Sequence, residues 1–341
     1  MENRIAADPG APGGNRTDVA LIIAAATLAL AVIASGAYLG YAIWNARVLE
    51  QAATPTARAI EAMYTDMRAN PSDVVLRVRL GEALAAAGRY DEAVRELQSA
   101  LEIDPEHTGA HLMMGVVSMT QRDYSAAEPY FLKVIELTTG IEFQDASDRR
   151  ELAFFYLGEI ALNQKRFDEA AGFFKEALRI RRDSSVTYLN LGLALKGLDE
   201  TAGAIENFEN ALVFDPTFAQ AHYELGQVYL AKGDRVNAAT HLVLAARNAP
   251  EQEEPAQALV SLGSADQWAA TAATALAERD FERALEAALI ARVLDEANVE
   301  YVRIHARVLE ARGSLTDARE VWGEILVMAP QDAEALDRLG E

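Results

Sequence analysis

Residues 191–216 read LGLALKGLDETAGAIENFENALVFDP, and the small and bulky residues in this stretch fall at fixed places. Leu191 and Gly192 are followed by Ala204, Phe208, Ala211 and Pro216. Shifted by 34 residues, the same order recurs as Leu225, Gly226, Ala238, Leu242, Ala245 and Pro250. The same step upstream gives Leu157, Gly158, Ala170, Phe174 and Ala177. Earlier copies are Leu80, Gly81, Ala93, Leu97, Ala100 and Pro105, then Met114, Gly115, Ala127, Phe131 and Val134. Two weaker ones follow, Thr271, Ala272, Ala284, Ala288 and Ala291, then His305, Ala306, Ala318, Trp322, Ile325 and Pro330. A fixed period of this length means one supersecondary unit repeated along the chain.

The physical sense of the pattern is a helical hairpin. Gly192 and Ala204 are small where two helices must approach closely, and Phe208 fills the space beside them. Pro216 ends the second helix, and mid-unit stretches such as AAGRYDEA, NQKRFDEA and AKGDRVNA supply the turn between helices. No unit can bury its apolar positions alone, so neighbours must stack. The pattern resembles the tetratricopeptide repeat (TPR) family. That resemblance implies an all-α fold, a right-handed superhelical solenoid of antiparallel helix hairpins. Seven units fit, at 74–107, 108–141, 151–184, 185–218, 219–252, 265–298 and 299–332.

Departures from the period divide the chain. Units one to five occupy 74–252 with an insertion at 142–150, EFQDASDRR, which either lengthens a helix or loops out. Residues 253–264, EEPAQALVSLGS, read as a joint, and 265–332 hold the two degenerate units. Residues 45–73 supply a juxtamembrane helix and a half-repeat cap in which Thr54 is the expected N-cap and Pro55 the first helical residue. Residues 333–341 begin a further unit and form a C-terminal cap.

The N-terminus has a different chemistry. From Val19 to Trp44 run 26 residues without a charge, longer than the roughly 20 a helix needs to cross a bilayer. Tyr38, Tyr41 and Trp44 suit the lipid interface. The run continues past the small residues Ser35–Ala37, so it is read as an uncleaved transmembrane helix rather than a signal peptide, preceded by a disordered tail at 1–18. Arg4 and Arg16 before the span balance Arg47 and Arg58 after it, and the expectation is an N-terminus inside with the repeats outside the cytoplasm. Gly36 and Gly40 form a GxxxG pair through which a homodimer is conceivable.

Composition bounds the function. With 52 acidic against 31 basic residues and a net charge of -21, the surface repels phosphate backbones, and nucleic acid is not an expected partner. There is no cysteine, hence no disulfide or thiolate ligand. The five histidines, His107, His111, His222, His241 and His305, suggest no metal set, no acid/base pair or phosphate-binding glycine pattern stands out, and the expectation is no catalysis, no cofactor and no metal.

Recognition is the expected role. By the TPR resemblance, the first helix of each hairpin lines a concave groove. The positions that face it are Leu112, Met113, Val116 and Met119 in unit two, and Phe155, Tyr156, Glu159, Leu162 and Asn163 in unit three. Unit four gives Leu189, Asn190, Leu193 and Lys196, and unit five Gln220, Tyr223, Gln227 and Leu230. Chaperone-binding members hold a terminal carboxylate with Lys and Asn. Here those places hold Val78 and Glu82 in unit one and Leu112 and Val116 in unit two, so that clamp is missing. The expected partner is a protein or peptide segment, apolar with basic flanks. In unit seven Glu300, Arg303, Arg307 and Glu310 offer either a second site or a solvated end. A span followed by TPRs is similar in layout to membrane-anchored components of bacterial cytochrome c maturation. The resulting expectation is a bacterial cytoplasmic-membrane scaffold for assembly or maturation of an envelope complex. The alternative is a regulatory or accessory subunit of a membrane enzyme complex.

Overall fold

The computed structural model describes Leu39 and residues 54–340 apart from Glu142. The tail at 1–18, the span at 19–44 save Leu39, and the Gly36/Gly40 pair lie outside the described residues. Among the described residues no helix is long and apolar enough to cross a membrane. The described residues fall into two compact units, divided between Pro105 and Glu106.

In the first unit three helices follow one another: α1 (Pro55–Ala69), α2 (Val74–Ala86) and α3 (Tyr90–Ile103). Thr54 caps α1 by accepting from the Ala57 amide at 3.1 Å, with Pro55 in the first turn. Ile60 of α1 is buried, and the Tyr64 hydroxyl donates to Glu92 at 3.1 Å, tying α1 to α3. Arg77 pairs with Glu96 at 2.9 Å across the α2–α3 hairpin.

The second unit continues the period. Its hairpins are α4 (Thr108–Thr120) with α5 (Tyr124–Thr138), α6 (Gln144–Asn163) with α7 (Phe167–Ile180), and α8 (Ser185–Gly197) with α9 (Thr201–Phe214). Then come α10 (Ala219–Lys232) with α11 (Arg235–Asn248), the single helix α12 (Glu253–Leu262), α13 (Ala265–Ala277) with α14 (Phe281–Leu294), α15 (Val299–Arg312) with α16 (Leu315–Met328), and the short α17 (Ala333–Leu339).

One contact sets the crossing of each hairpin. A Cβ added to Gly192 would lie 2.5 Å from Cε1 of Phe208 and 3.2 Å from the Ala204 carbonyl oxygen. Gly115 and Phe131, and Gly158 and Phe174, repeat the contact, while Gly226 meets Leu242 at 2.7 Å. All three phenylalanines are fully buried. In the degenerate units alanine takes the glycine's place, Ala272 opposite the small Ala288 and Ala306 in the unit of Trp322.

The turn inside each hairpin is equally uniform. Gly88, Arg122, Lys165, Asp199, Gly233, Arg279 and Gly313 all have positive φ, between 59° and 93°. The following amide donates to the carbonyl five residues back, as in Arg166 to Ala161 at 2.8 Å and Glu200 to Leu195 at 2.9 Å. This is the Schellman closure of a helix end, and glycine is favoured there because it lacks the Cβ that strains left-handed backbone. Four of the seven positions carry a side chain, a strain that the surrounding hairpin imposes.

Two departures from the period resolve into helix. Residues 144–150 extend α6 to 20 residues, so the insertion lengthens a first helix instead of looping out. The segment read as a joint forms α12, packed on α11, with Leu262 in a core shared by Leu242 of α11 and Ile290 of α14. The Trp268 indole donates to the Leu262 carbonyl at 2.8 Å and fixes the end of α12 to α13.

Two substitutions test the hairpin geometry. Gly192→Ala is expected to destabilise, because overpacking against a fully buried ring costs about 1–3 kcal/mol and outweighs the gain in helix propensity. Lys165→Gly is expected to stabilise by about 1 kcal/mol, because glycine takes positive φ without strain. Urea unfolding of each variant, followed by far-UV circular dichroism, measures both signs.

Candidate functional site

Within the second unit the first helices of neighbouring hairpins pack on each other, α4 with α6 and α6 with α8. No comparable packing joins the second helices of these hairpins, so the face built by the first helices is the inner one. Between the fifth and sixth hairpins α12 intervenes and the second helices meet, α11 with α14, before first-helix packing resumes with α13 on α15. The inner face of units two to five therefore ends at α12. There Gln220 and Tyr223 share a cavity of 420 Å³ with Gln252, Glu254 and Pro255.

The expected groove residues divide by burial. Leu112 and Leu189 are buried, at 9 % and 6 % exposure, in the cores around Phe131 and Phe208. They pack within clusters that also include residues of the next hairpin, and they hold the core instead of offering a surface. Val116, Met119 and Tyr156 pack partly buried against one core, and Phe155, Leu162 and Leu193 against the next. Tyr223 and Leu230 lie against the core beside α12. Met113, Asn190, Gln220 and Gln227 are half-buried, and Asn163 is exposed with its amide donating to the Glu159 carbonyl at 2.8 Å.

Aromatic rings run along this face. Tyr156 stacks on Phe131 with centroids 5.1 Å apart and meets Phe155 edge-on at 5.6 Å, and Phe155 meets Phe174 at 6.0 Å. Burial, then the nearby Glu159 and Glu151, push the Tyr156 hydroxyl above its usual range. Lys196, in contrast, is engaged: its Nζ lies 2.7 Å from Glu224, which also accepts from Gln220 at 3.0 Å. Glu224 is only 7 % exposed, so removing Lys196 would leave a buried carboxylate with one neutral donor.

The charged face of unit seven is consumed by the end of the chain. Arg303 pairs with Glu300, with Asp332 at 2.5 Å and with Glu334 at 3.4 Å. Arg307 meets Glu334 at 2.6 Å, and Glu310 accepts from the Trp322 indole at 2.9 Å and pairs with Arg338 at 3.3 Å. The Arg307 guanidinium chiefly holds the Glu334 carboxyl below its usual range. These residues dock α17 on the last hairpin.

The histidines contain a contact that the sequence spacing hid. His222 of α10 and His241 of α11 face each other with Nδ1 atoms 3.0 Å apart, and His222 Nε2 lies 3.0 Å from the Pro216 carbonyl oxygen. The carbonyl fixes the proton on His222 Nε2, so His241 donates between the rings. Among the described residues no group of three metal-ligating side chains converges.

Tetratricopeptide repeat models match residues 84–146 and 151–184, and a TPR repeat model matches 198–233. The chain is 29% identical over 139 residues to the protein O-mannosyl-transferase Tmtc3 of Drosophila melanogaster, covering 39% of this chain and 15% of that protein. It is 32% identical over 114 residues to the peroxisomal targeting signal receptor of Candida albicans, covering 33% of this chain and 18% of the receptor. It is 29% identical over 137 residues to the type IV pilus assembly protein PilF of Pseudomonas aeruginosa, covering 40% of this chain and 51% of PilF. The chain thus spans under a fifth of the first two relatives and about half of the third. Among solved structures, YrrB, described as a TPR protein with an unusual peptide-binding site, aligns with a TM-score of 0.48 at 22% identity, covering 58% of this chain and 98% of YrrB.

Burial pushes His241 down to about 4, with the facing His222 second, and burial with Arg292 does the same to His305. Both folded values lie below the ordinary 6.5, so the unfolded chain binds these protons first and stability falls as pH drops from about 6.5 toward 4. Urea midpoints measured from pH 7 to 5 are expected to fall for the wild type and to fall less for His241→Gln combined with His305→Gln. The repeats at 84–146, 151–184 and 198–233 identify this chain as one that contains tetratricopeptide repeats.

Proposed function

We propose that the chain is a TPR-type protein-interaction scaffold that binds a protein segment on the inner face of α4, α6, α8 and α10. The observation that carries this reading is the stripe of half-buried apolar side chains, Met113, Val116, Tyr156, Leu193 and Tyr223, left on one face after the cores are filled. Such a stripe gains from covering by an apolar segment, and the net charge of -21 favours basic flanks on it. The uncharged run at 19–44 anchors the scaffold in a bacterial cytoplasmic membrane with the repeats on the extracytoplasmic side. There it serves assembly or maturation of an envelope complex, with cytochrome c maturation as a specific case, and the similarity to a pilus assembly protein supports the assembly role. A role as a regulatory or accessory part of a membrane enzyme draws on the similarity to O-mannosyl-transferases.

The test avoids the buried Leu112 and Leu189. Met113→Ser, Val116→Ser, Leu193→Ser and Tyr223→Ser are combined, and capture from solubilised membranes is compared with wild type. Capture of the wild-type partners is expected to drop at least about tenfold while helical circular dichroism persists; unchanged capture would remove this face from consideration. Protease added to intact cells is expected to spare the repeats until the outer barrier is opened without lysing the cytoplasm, and cleavage only after full lysis contradicts the external placement.

A further inference from the structure

The inner face contains a carboxylate without a cation. Glu159 lies one helical turn from Phe155 and Tyr156 on α6, in a half-buried position. Among the described residues no basic side chain pairs with it, and burial alone pushes its carboxyl above the usual range. Elsewhere the inner acidic groups are matched: Glu224 has Lys196, and Glu151 has Arg181. Asn163, the polar neighbour one turn on, spends its amide on the Glu159 backbone carbonyl, not on the carboxylate.

A desolvated charge with no partner is costly, and buried or half-buried charges are ordinarily paired. The surroundings of Glu159 say what would pair with it. Tyr156 and Phe155, both half-buried, present aromatic rings that rest on the fully buried Phe131 and Phe174 beneath them. An aliphatic stem ending in a cation fits both parts, its methylenes and charge over the rings and its donors on the carboxylate. An apolar side chain would bury the carboxylate further without compensating it, and an acidic one would be repelled.

We propose that Glu159 determines the specificity of the inner face by receiving a lysine or arginine side chain from within the bound segment, between its apolar anchors. This rests on the scaffold reading above and adds to it a basic residue at the centre of the segment, distinct from the basic flanks that the overall charge favours. Lys196, on the first helix of the next unit, is held by Glu224.

The probes are four short fluorescein-labelled peptides with one apolar pattern and a central lysine, arginine, norleucine or glutamate. Fluorescence anisotropy with the wild-type protein is expected to give about tenfold tighter binding of the lysine and arginine peptides than of the norleucine peptide, the size of one charge-assisted contact. The relative strength of the first two separates an ammonium from a guanidinium preference. Glu159→Gln is expected to bind all four at the norleucine level, and Glu159→Lys to prefer the glutamate peptide. Equal binding of lysine and norleucine peptides by the wild type, or a lysine preference that survives Glu159→Gln, overturns this inference and leaves the apolar scaffold standing. Failure of every peptide to bind, norleucine included, overturns both.

Discussion

The contact between Gly192 and the ring of Phe208 is the constraint from which the rest of the array follows. With no Cβ in the way, the ring packs directly on the first helix at Gly192, and the two helices of the hairpin cross at the distance that ring dictates. Repeating it at Gly115, Gly158 and Gly226 makes successive hairpins alike, so each presents the same apolar edge to its neighbour. Within the second unit, hairpins stacked in one sense from α4 to α11 bring their first helices to one side. That side becomes an inner face continuous over α4, α6, α8 and α10.

Stability in such an array is a sum of units and of the interfaces between them. The contributions are uneven. Phe131, Phe174 and Phe208 fill the middle units, while Ala272 and Ala288 leave the sixth with little bulk in the same place. The helix α12 compensates there, bringing Leu262 between α11 and α14 and the ring of Trp268 against its end. The last hairpin gains its cover from α17, held by the arginine and carboxylate groups of Arg303, Arg307 and Glu334. What interrupts the period in sequence thus supplies packing that a degenerate unit lacks.

The hairpins were legible in the sequence because their determinants are local and periodic: a glycine, an aromatic residue 16 positions later and a proline after the second helix. The inner face was legible as a register, but not its division into surface and core. Leu112 and Leu189 share that register with Val116 and Leu193, and only the neighbouring hairpin decides which of them it covers. The fate of residues 142–150 and 253–264 was hidden for a related reason, since a helix that docks on α11 or extends α6 carries no repeat signature. Non-local pairs were beyond spacing arguments altogether. His222 meets His241 across a hairpin, and Lys196 reaches the buried Glu224 of the next unit. The isolation of Glu159 is likewise invisible to spacing, which cannot show that Glu224 and Glu151 have cationic partners while Glu159 has none among the described residues.

Apolar side chains also stand exposed on the second helices, Val213 at 71% and Val327 at 84%. The central claim is that partners engage the first helices instead. Site-specific photo-crosslinking in cells measures this directly, with benzoylphenylalanine placed at Met113, Leu193 or Tyr223 and, for comparison, at Val213 or Val327. Adducts from the first three positions and none from the last two are the expected result; adducts from Val213 or Val327, with none from the inner face, would contradict it.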